Sequence, residues 1–218
     1  MSAPAHGSEG TVAHAHHFKS MDHQFNSAKQ GMWLFLLQEV LFFSGLFVAY
    51  FIFRGLYLDA WIEGHHFLDW RLGTTNTVIL ICSSLTMALA VNAAQTGRNQ
   101  RAGWLLLMTL LLACGFLIVK YLEYSHKIHD GLLPAGLFSN TEVHNDKTPL
   151  FFSVYFMMTG VHGIHVIGGM GVITWIMIRA FRNEFGPSYY TPVEMVGLYW
   201  HFVDLVWIYL FPLLYLTT

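Results

Sequence analysis

The chain has 218 residues, of which 55% are hydrophobic and 11% charged, with a formal net charge of −2. A soluble domain is about 25% charged, so there is too little charge here to cover a water-facing surface, and part of the solvent must be lipid. The apolar content excludes global disorder, and the net charge argues against a nucleic-acid partner.

Residues 1–30 read as a polar, solvated tail carrying His6, His14, His16, His17 and His23. No apolar stretch precedes Gly31, so a cleaved signal peptide is not expected. The histidines are irregularly spaced, which favours a solvated arm over a metal-binding tract.

Residues 31–218 read as one transmembrane domain. A spanning helix needs about 20 predominantly apolar residues. Five segments meet that requirement, at about Gly31–Leu56, Asn76–Thr96, Gly103–Tyr124, Pro149–Ile178 and Val193–Leu216. The runs are continuous and unalternating, unlike barrel strands. The expected fold is therefore all-α and polytopic, with five transmembrane helices and no internal repeat. Cys82 and Cys114 lie inside these runs, which speaks against a disulfide framework and excludes a four-cysteine metal site.

The helix ends carry signals. Thr191-Pro192-Val193-Glu194 has the form of a capping box with Thr191 at the N-cap, and Thr148-Pro149 opens the fourth span in a similar way. Pro212 either kinks the last span or marks where it loosens. Gly160, Gly163, Gly168, Gly169 and Gly171 crowd the fourth span and predict close helix packing. Trp33, Tyr57, Tyr199 and Tyr215 lie near span ends, as interfacial aromatic residues do.

Lys and Arg in short loops set orientation. Lys19, Lys29, Arg98, Arg101, Arg179 and Arg182 fall on one side, against Arg54, Arg71, Lys127 and Lys147 on the other. That bias predicts the N-terminus inside and the C-terminus outside.

Seven ionisable residues fall within or at the ends of the spans: Glu39, Lys120, Glu123, His162, His165, His201 and Asp204. Each charge costs at least about 2.5–3.5 kcal/mol at the bilayer centre, so each demands a partner or a role. By helical rise, Glu39 and His201 both lie ~12 Å from the inner ends of their spans, which makes them a candidate pair. Glu123 and His162 lie ~6 Å apart in depth and make a looser one. Two readings stand for these groups: interhelical hydrogen bonds, or, for a buried carboxylate such as Glu39, buffering and relay of protons. Metal or haem ligation is poorly supported. His201 is ~8 Å shallower than His165 by helical rise, and only one Glu-x-x-His pair is present, Glu123 with His126, where a di-iron site needs two.

Several segments together resemble one family. They are Lys29-Gln30-Gly31-Met32-Trp33-Leu34-Phe35-Leu36 followed by Glu39-Val40-Leu41-Phe42-Phe43; Asn76-Thr77 with Ser83-Ser84; Lys120-Tyr121-Leu122-Glu123-Tyr124; Thr159-Gly160-Val161-His162-Gly163-Ile164-His165-Val166; and Tyr199-Trp200-His201-Phe202-Val203-Asp204-Leu205-Val206-Trp207. In this order and spacing the chain resembles subunit III of the haem-copper respiratory oxidases.

The resemblance implies a helical subunit without redox centres, part of an enzyme that oxidises cytochrome c or quinol, reduces oxygen to water and pumps protons. It implies contact with subunit I, which would hold haems and copper, and with subunit II at the level of the complex. It also implies bound phospholipid and a bacterial plasma membrane. The family role is to support subunit I and keep proton uptake fast. Glu39 looks like the family's intramembrane glutamate, and Glu123, His162, His165, His201 and Asp204 fall on its polar positions. The residues agree in one respect: three histidines well within spans are too few to ligate two haems and a copper. The chain is shorter than the seven-helix form, whose first two helices enclose a lipid cleft, and that cleft is not carried over. Related subunits beside quinol oxidases or nitric oxide reductases stay open as alternatives. A small proton-coupled transporter is the reading from another class, but the broken helices and inverted repeats it predicts are not visible.

Overall fold

A computed structural model describes residues 21–134, 138, 140 and 143–217; the expected polar tail up to residue 20 lies outside the described residues. The helices run in the order α1 (Met21–Leu56), α2 (Leu58–His65), α3 (Trp70–Gln95), α4 (Asn99–His129), α5 (Thr148–Phe181) and α6 (Thr191–Tyr215). Five of them, all but α2, are long and apolar enough to cross a membrane. Helix is the form that satisfies every backbone group within a single apolar run, which is why such runs fold this way in lipid.

Helices α3, α4, α5 and α6 close a ring in which each packs on its two neighbours, while α1 leans against the outside at α6. The core lies inside the ring and is rich in aromatic residues: Phe116, Tyr155, Trp200, Trp207 and Tyr215 are fully enclosed. Two indoles tie α6 to α3, Trp200 Nε1 donating to Ser83 Oγ at 3.1 Å and Trp207 Nε1 to Thr77 Oγ1 at 3.1 Å. Of the five crowded glycines, Gly169 carries the close approach: a β-carbon there would stand 2.9 Å from the Trp200 ring, whereas Gly163 and Gly171 face open space.

Three helices stop by the same device. After α3, Gly97 takes φ 72°, and the N–H groups of Gly97 and Arg98 reach back to the carbonyls of Ala94 and Ala93. Gly131 (φ 72°) after α4 and Asn183 (φ 59°) after α5 repeat the pattern. This left-handed cap gives the last carbonyls their donors, and glycine or asparagine adopts it at low steric cost.

Three expectations about the ends need correction. Helix α1 begins at Met21, ten residues before the expected start at Gly31. The N-cap of α6 is Tyr190, with Thr191 already helical and no side-chain cap. Glu194 instead meets Lys29 of α1 at 3.3 Å, so the chain exchanged a local capping box for an interhelical ion pair. Pro212 sits within α6 near its end at Tyr215, where the expected last span has it.

The third correction is α2, which occupies what reads as a loop. Its Glu63 receives the His144 N–H at 2.8 Å, the Asn145 N–H at 3.2 Å and the Thr148 hydroxyl. Thr148 therefore caps nothing by itself; it hands its hydroxyl to a carboxylate that sits at the positive end of α5. Partial burial pushes the Glu63 carboxyl up, but these three donors outweigh it and hold it below the usual carboxylate range.

Candidate functional site

Glu39 on α1 and His165 on α5 are brought together across the bundle. His165 Nε2 lies 3.0 Å from Glu39 Oε2. Its other nitrogen, Nδ1, lies 2.8 Å from the Val161 carbonyl. A carbonyl only accepts, so Nδ1 carries a hydrogen. The Nε2–Oε2 bond then needs a second proton, held either by the acid of Glu39 or by an imidazolium at His165. The pair holds that further proton in a mostly shielded site, with side chains 12% and 18% exposed. Phe43 packs against the imidazole at 5.0 Å between centroids, and the Tyr199 hydroxyl donates to the His165 carbonyl at 3.1 Å.

The expected partner of Glu39, His201, is elsewhere: its Nδ1 lies 2.7 Å from Ser84 Oγ on α3. Depth matched but direction did not. Tyr199 faces α5, and two residues further along a helix is about 200° around the axis, which turns His201 away towards α3.

Glu123 sits in a second cluster, 2% exposed, where α4, α5 and α6 meet. Lys120 Nζ donates to Glu123 Oε2 at 2.8 Å, to the Tyr215 hydroxyl at 3.0 Å and to the Tyr155 hydroxyl at 3.1 Å. Glu123 Oε1 accepts from Tyr215 at 2.6 Å, Tyr155 at 2.8 Å and Lys127 at 3.2 Å. The ammonium of Lys120 is also ringed by Tyr124, Tyr155, Trp207 and Tyr215, with centroids 5.1–5.7 Å away. Every strong donor of Lys120 is used and both oxygens of Glu123 are occupied. A closed network of this kind fixes geometry and leaves no free site for a travelling proton.

The expected Glu123–His162 pair does not form, because the helix supplies Lys120 and Lys127 to Glu123 at i−3 and i+4. His162 is instead fully enclosed between Phe116 and Trp207, at 5.7 and 5.3 Å between centroids. Three members of the Glu123 cluster were not read as such from the sequence. Lys127 reads as a loop cation and Tyr215 as an interfacial residue, while Tyr155 carries no signal in an apolar run. The spacing of Lys120, Glu123 and Lys127, which places them on one helical face, was the available clue.

Asp204 is buried beside Ser84, and neither the nitrogens of His162 nor the Asn76 amide hydrogen-bond to a described residue. Among the described residues no group of three or more His, Cys, Asp or Glu is arranged to hold a metal ion.

Comparison with known proteins decides the family. The model of cytochrome c oxidase subunit III matches residues 7–218. The chain belongs to the cytochrome c oxidase subunit III family. It is 34% identical over 192 residues to cytochrome c oxidase subunit 3 of Corynebacterium diphtheriae, covering 87% of this chain and 88% of that one. It is 31% identical over 211 residues to quinol oxidase subunit 3 of Bacillus subtilis, covering 94% and 97%. It is also 33% identical over 195 residues to the heme-copper oxidase subunit I+III of Aeropyrum pernix, covering 86% of this chain and 22% of the longer relative. As a subunit III it is a multi-pass membrane component of a respiratory oxidoreductase complex.

Proposed function

We propose that the chain is the non-redox subunit III of a proton-pumping haem-copper oxidase that carries electrons from cytochrome c to oxygen, supporting subunit I and the uptake of protons. It lies in a bacterial plasma membrane with its N-terminus inside. Haems and copper belong to the partner subunits, and phospholipid is a further ligand. The relative that joins subunits I and III in one chain supports direct contact between the two.

The observation that carries the proton role is the Glu39–His165 bond, which requires one proton beyond the one on Nδ1. Glu39 is ten residues from Lys29 along α1, or ~15 Å, which places the pair between the inner surface and the middle of the bilayer in this orientation. Lys120, Glu123, His162, His201 and Asp204 are structural in this reading.

Glu39→Ala should leave the complex assembled and spectrally intact and lower steady-state turnover at alkaline pH, where proton supply limits. Turnover equal to wild type from mildly acidic to alkaline pH would make Glu39 a packing residue only. Quinol as donor is a second reading, favoured by the near full-length match to the Bacillus subtilis subunit. Purification through a tag on this chain separates the two. A-type haem, copper and a copper-bearing subunit II indicate cytochrome c; a copper-free subunit II indicates quinol. A b-type spectrum with non-haem iron would move the chain to nitric oxide reduction.

A further inference from the structure

Each helix of the ring sends one side chain into a common layer of the core: Asn76 from α3, Phe116 from α4, His162 from α5 and Trp207 from α6. Trp207 fixes the layer. Its ring lies 4.9 Å from Phe116 and 5.3 Å from His162 between centroids. Its Nε1 donates to Thr77 Oγ1 at 3.1 Å, and Thr77 is the next residue after Asn76, ~1.5 Å along the helix. All four side chains are enclosed. Asn76 and His162 come from helices that stand opposite each other, since α3 packs on α4 and α6 and so does α5.

Among the described residues, neither atom of the Asn76 amide and neither nitrogen of His162 has a hydrogen-bond partner. Buried polar atoms in native proteins are nearly always bonded, to protein or to ordered water. An unmade bond costs most among apolar neighbours. Here the neighbours are aromatic walls: Phe116 has no polar atom, and the one donor of Trp207 is committed to Thr77. The four atoms themselves select the ligand. An amide brings two N–H donors and a carbonyl acceptor, and a neutral imidazole brings one donor and one acceptor. An anion only accepts and a cation takes only lone pairs, so neither serves both kinds of atom. Water does both, and it is small enough for a packed core.

We infer that this layer is a binding site for structural water, which ties Asn76 to His162 and so joins the opposite walls α3 and α5 across the middle of the ring. The nitrogens of His162 lie on different edges of its ring, so one molecule cannot bond both, and the site takes on the order of two. The contrast is with Trp200 on the same helix, whose Nε1 finds Ser83 directly, and with Glu123, whose partners are all side chains. Where side chains do not meet, bound water completes the polar core. The site is independent of the electron donor and of the Glu39–His165 pair.

The test is X-ray radiolysis of the detergent-purified protein with its partner subunits, read by mass spectrometry. A short pulse makes hydroxyl radicals from water, and those formed from bound water attack the side chains beside it. Oxidation of His162 and Trp207 should run roughly tenfold faster than that of Trp200, which is equally enclosed but needs no water. Asn76→Leu, close in volume, should cut the oxidation of Trp207 by roughly threefold and lower the unfolding temperature, because the water loses its anchor on α3. A dry layer predicts the opposite sign: exchanging an unpaired amide for an apolar group of similar shape raises the unfolding temperature. Oxidation of Trp207 and His162 no faster than that of Trp200 overturns the site. So does oxidation of Trp207 that Asn76→Leu leaves unchanged, or an unfolding temperature that it raises. If the variant does not accumulate, the comparison within the wild-type protein decides alone.

Discussion

Glu39 and Glu123 are both carboxylates enclosed among membrane helices, and they solve the same problem in opposite ways. Glu123 is saturated: two ammonium groups and two phenols fill its oxygens, all within the α4–α5–α6 junction. Among the described residues Glu39 has one hydrogen-bond partner, an imidazole whose second nitrogen is already committed to a carbonyl. The first arrangement holds charge still, while the second needs one further proton across a 3.0 Å bond. Enclosure alone therefore does not set what a carboxylate can hold; the number and kind of its partners decide.

The largest way to break the contrast is to empty the Glu123 site. Glu123→Leu strands Lys120 and Lys127 without a counter-charge, and loss of one partner of a buried ion pair costs about 3–5 kcal/mol. Far less of the chain should accumulate, and thermal unfolding in detergent should move sharply down. Replacing all three groups together, as Lys120→Met, Glu123→Leu and Lys127→Met, should recover most of that loss, since no unpaired charge remains. If the triple variant is as unstable as the single one, the cluster is more than an electrostatic clamp.

Glu63 sharpens the contrast from the water side, because its donors are also complete. Its carboxyl is held below the ordinary value of 4.5. The stabilisation is thus present above that value and fades as pH falls through the lowered one. The His144 and Asn145 amides should be protected from exchange at neutral pH, relative to their intrinsic rates, and lose that protection only on acidification. Glu63→Gln should remove it at neutral pH as well.

At the Glu39 site stability should hardly respond. Interhelical hydrogen bonds of this kind average about 0.6 kcal/mol, so Glu39→Ala and His165→Ala should each shift unfolding only slightly. Their effects on alkaline turnover should be large and non-additive, the double variant matching either single one. Additive effects would mean that the two residues act separately. Smallest of all is His201→Ala, which loses one bond to a Ser84 hydroxyl; it should leave turnover unchanged at every pH, which separates it from the pair it was expected to join.

How much of this was legible in the sequence varied with the range of the interaction. Spanning helices follow from runs of apolar residues, and the polar positions follow from their rarity inside those runs. Partnership was harder. Depth along a helix can be counted at 1.5 Å per residue, and it placed Glu39 level with His201. Azimuth decided against that pair, and azimuth depends on how each helix is rotated against its neighbours. The Tyr155 and Tyr215 hydroxyls were invisible for a related reason, since a tyrosine in an apolar helix reads alike whether it points to lipid, to headgroups or to a buried carboxylate.

The sequence by itself determined that this is a five-span membrane protein of the subunit III family, because hydrocarbon leaves a long apolar run no choice but helix. It also determined that Lys120, Glu123 and Lys127 share a helical face, since that is local geometry. Only the tertiary structure decided that Glu39 meets His165, that α2 anchors the start of α5 through Glu63, and that one side of α1 is left uncovered. Those outcomes depend on the rotation and packing of whole helices, which are set by many aromatic and glycine contacts acting together.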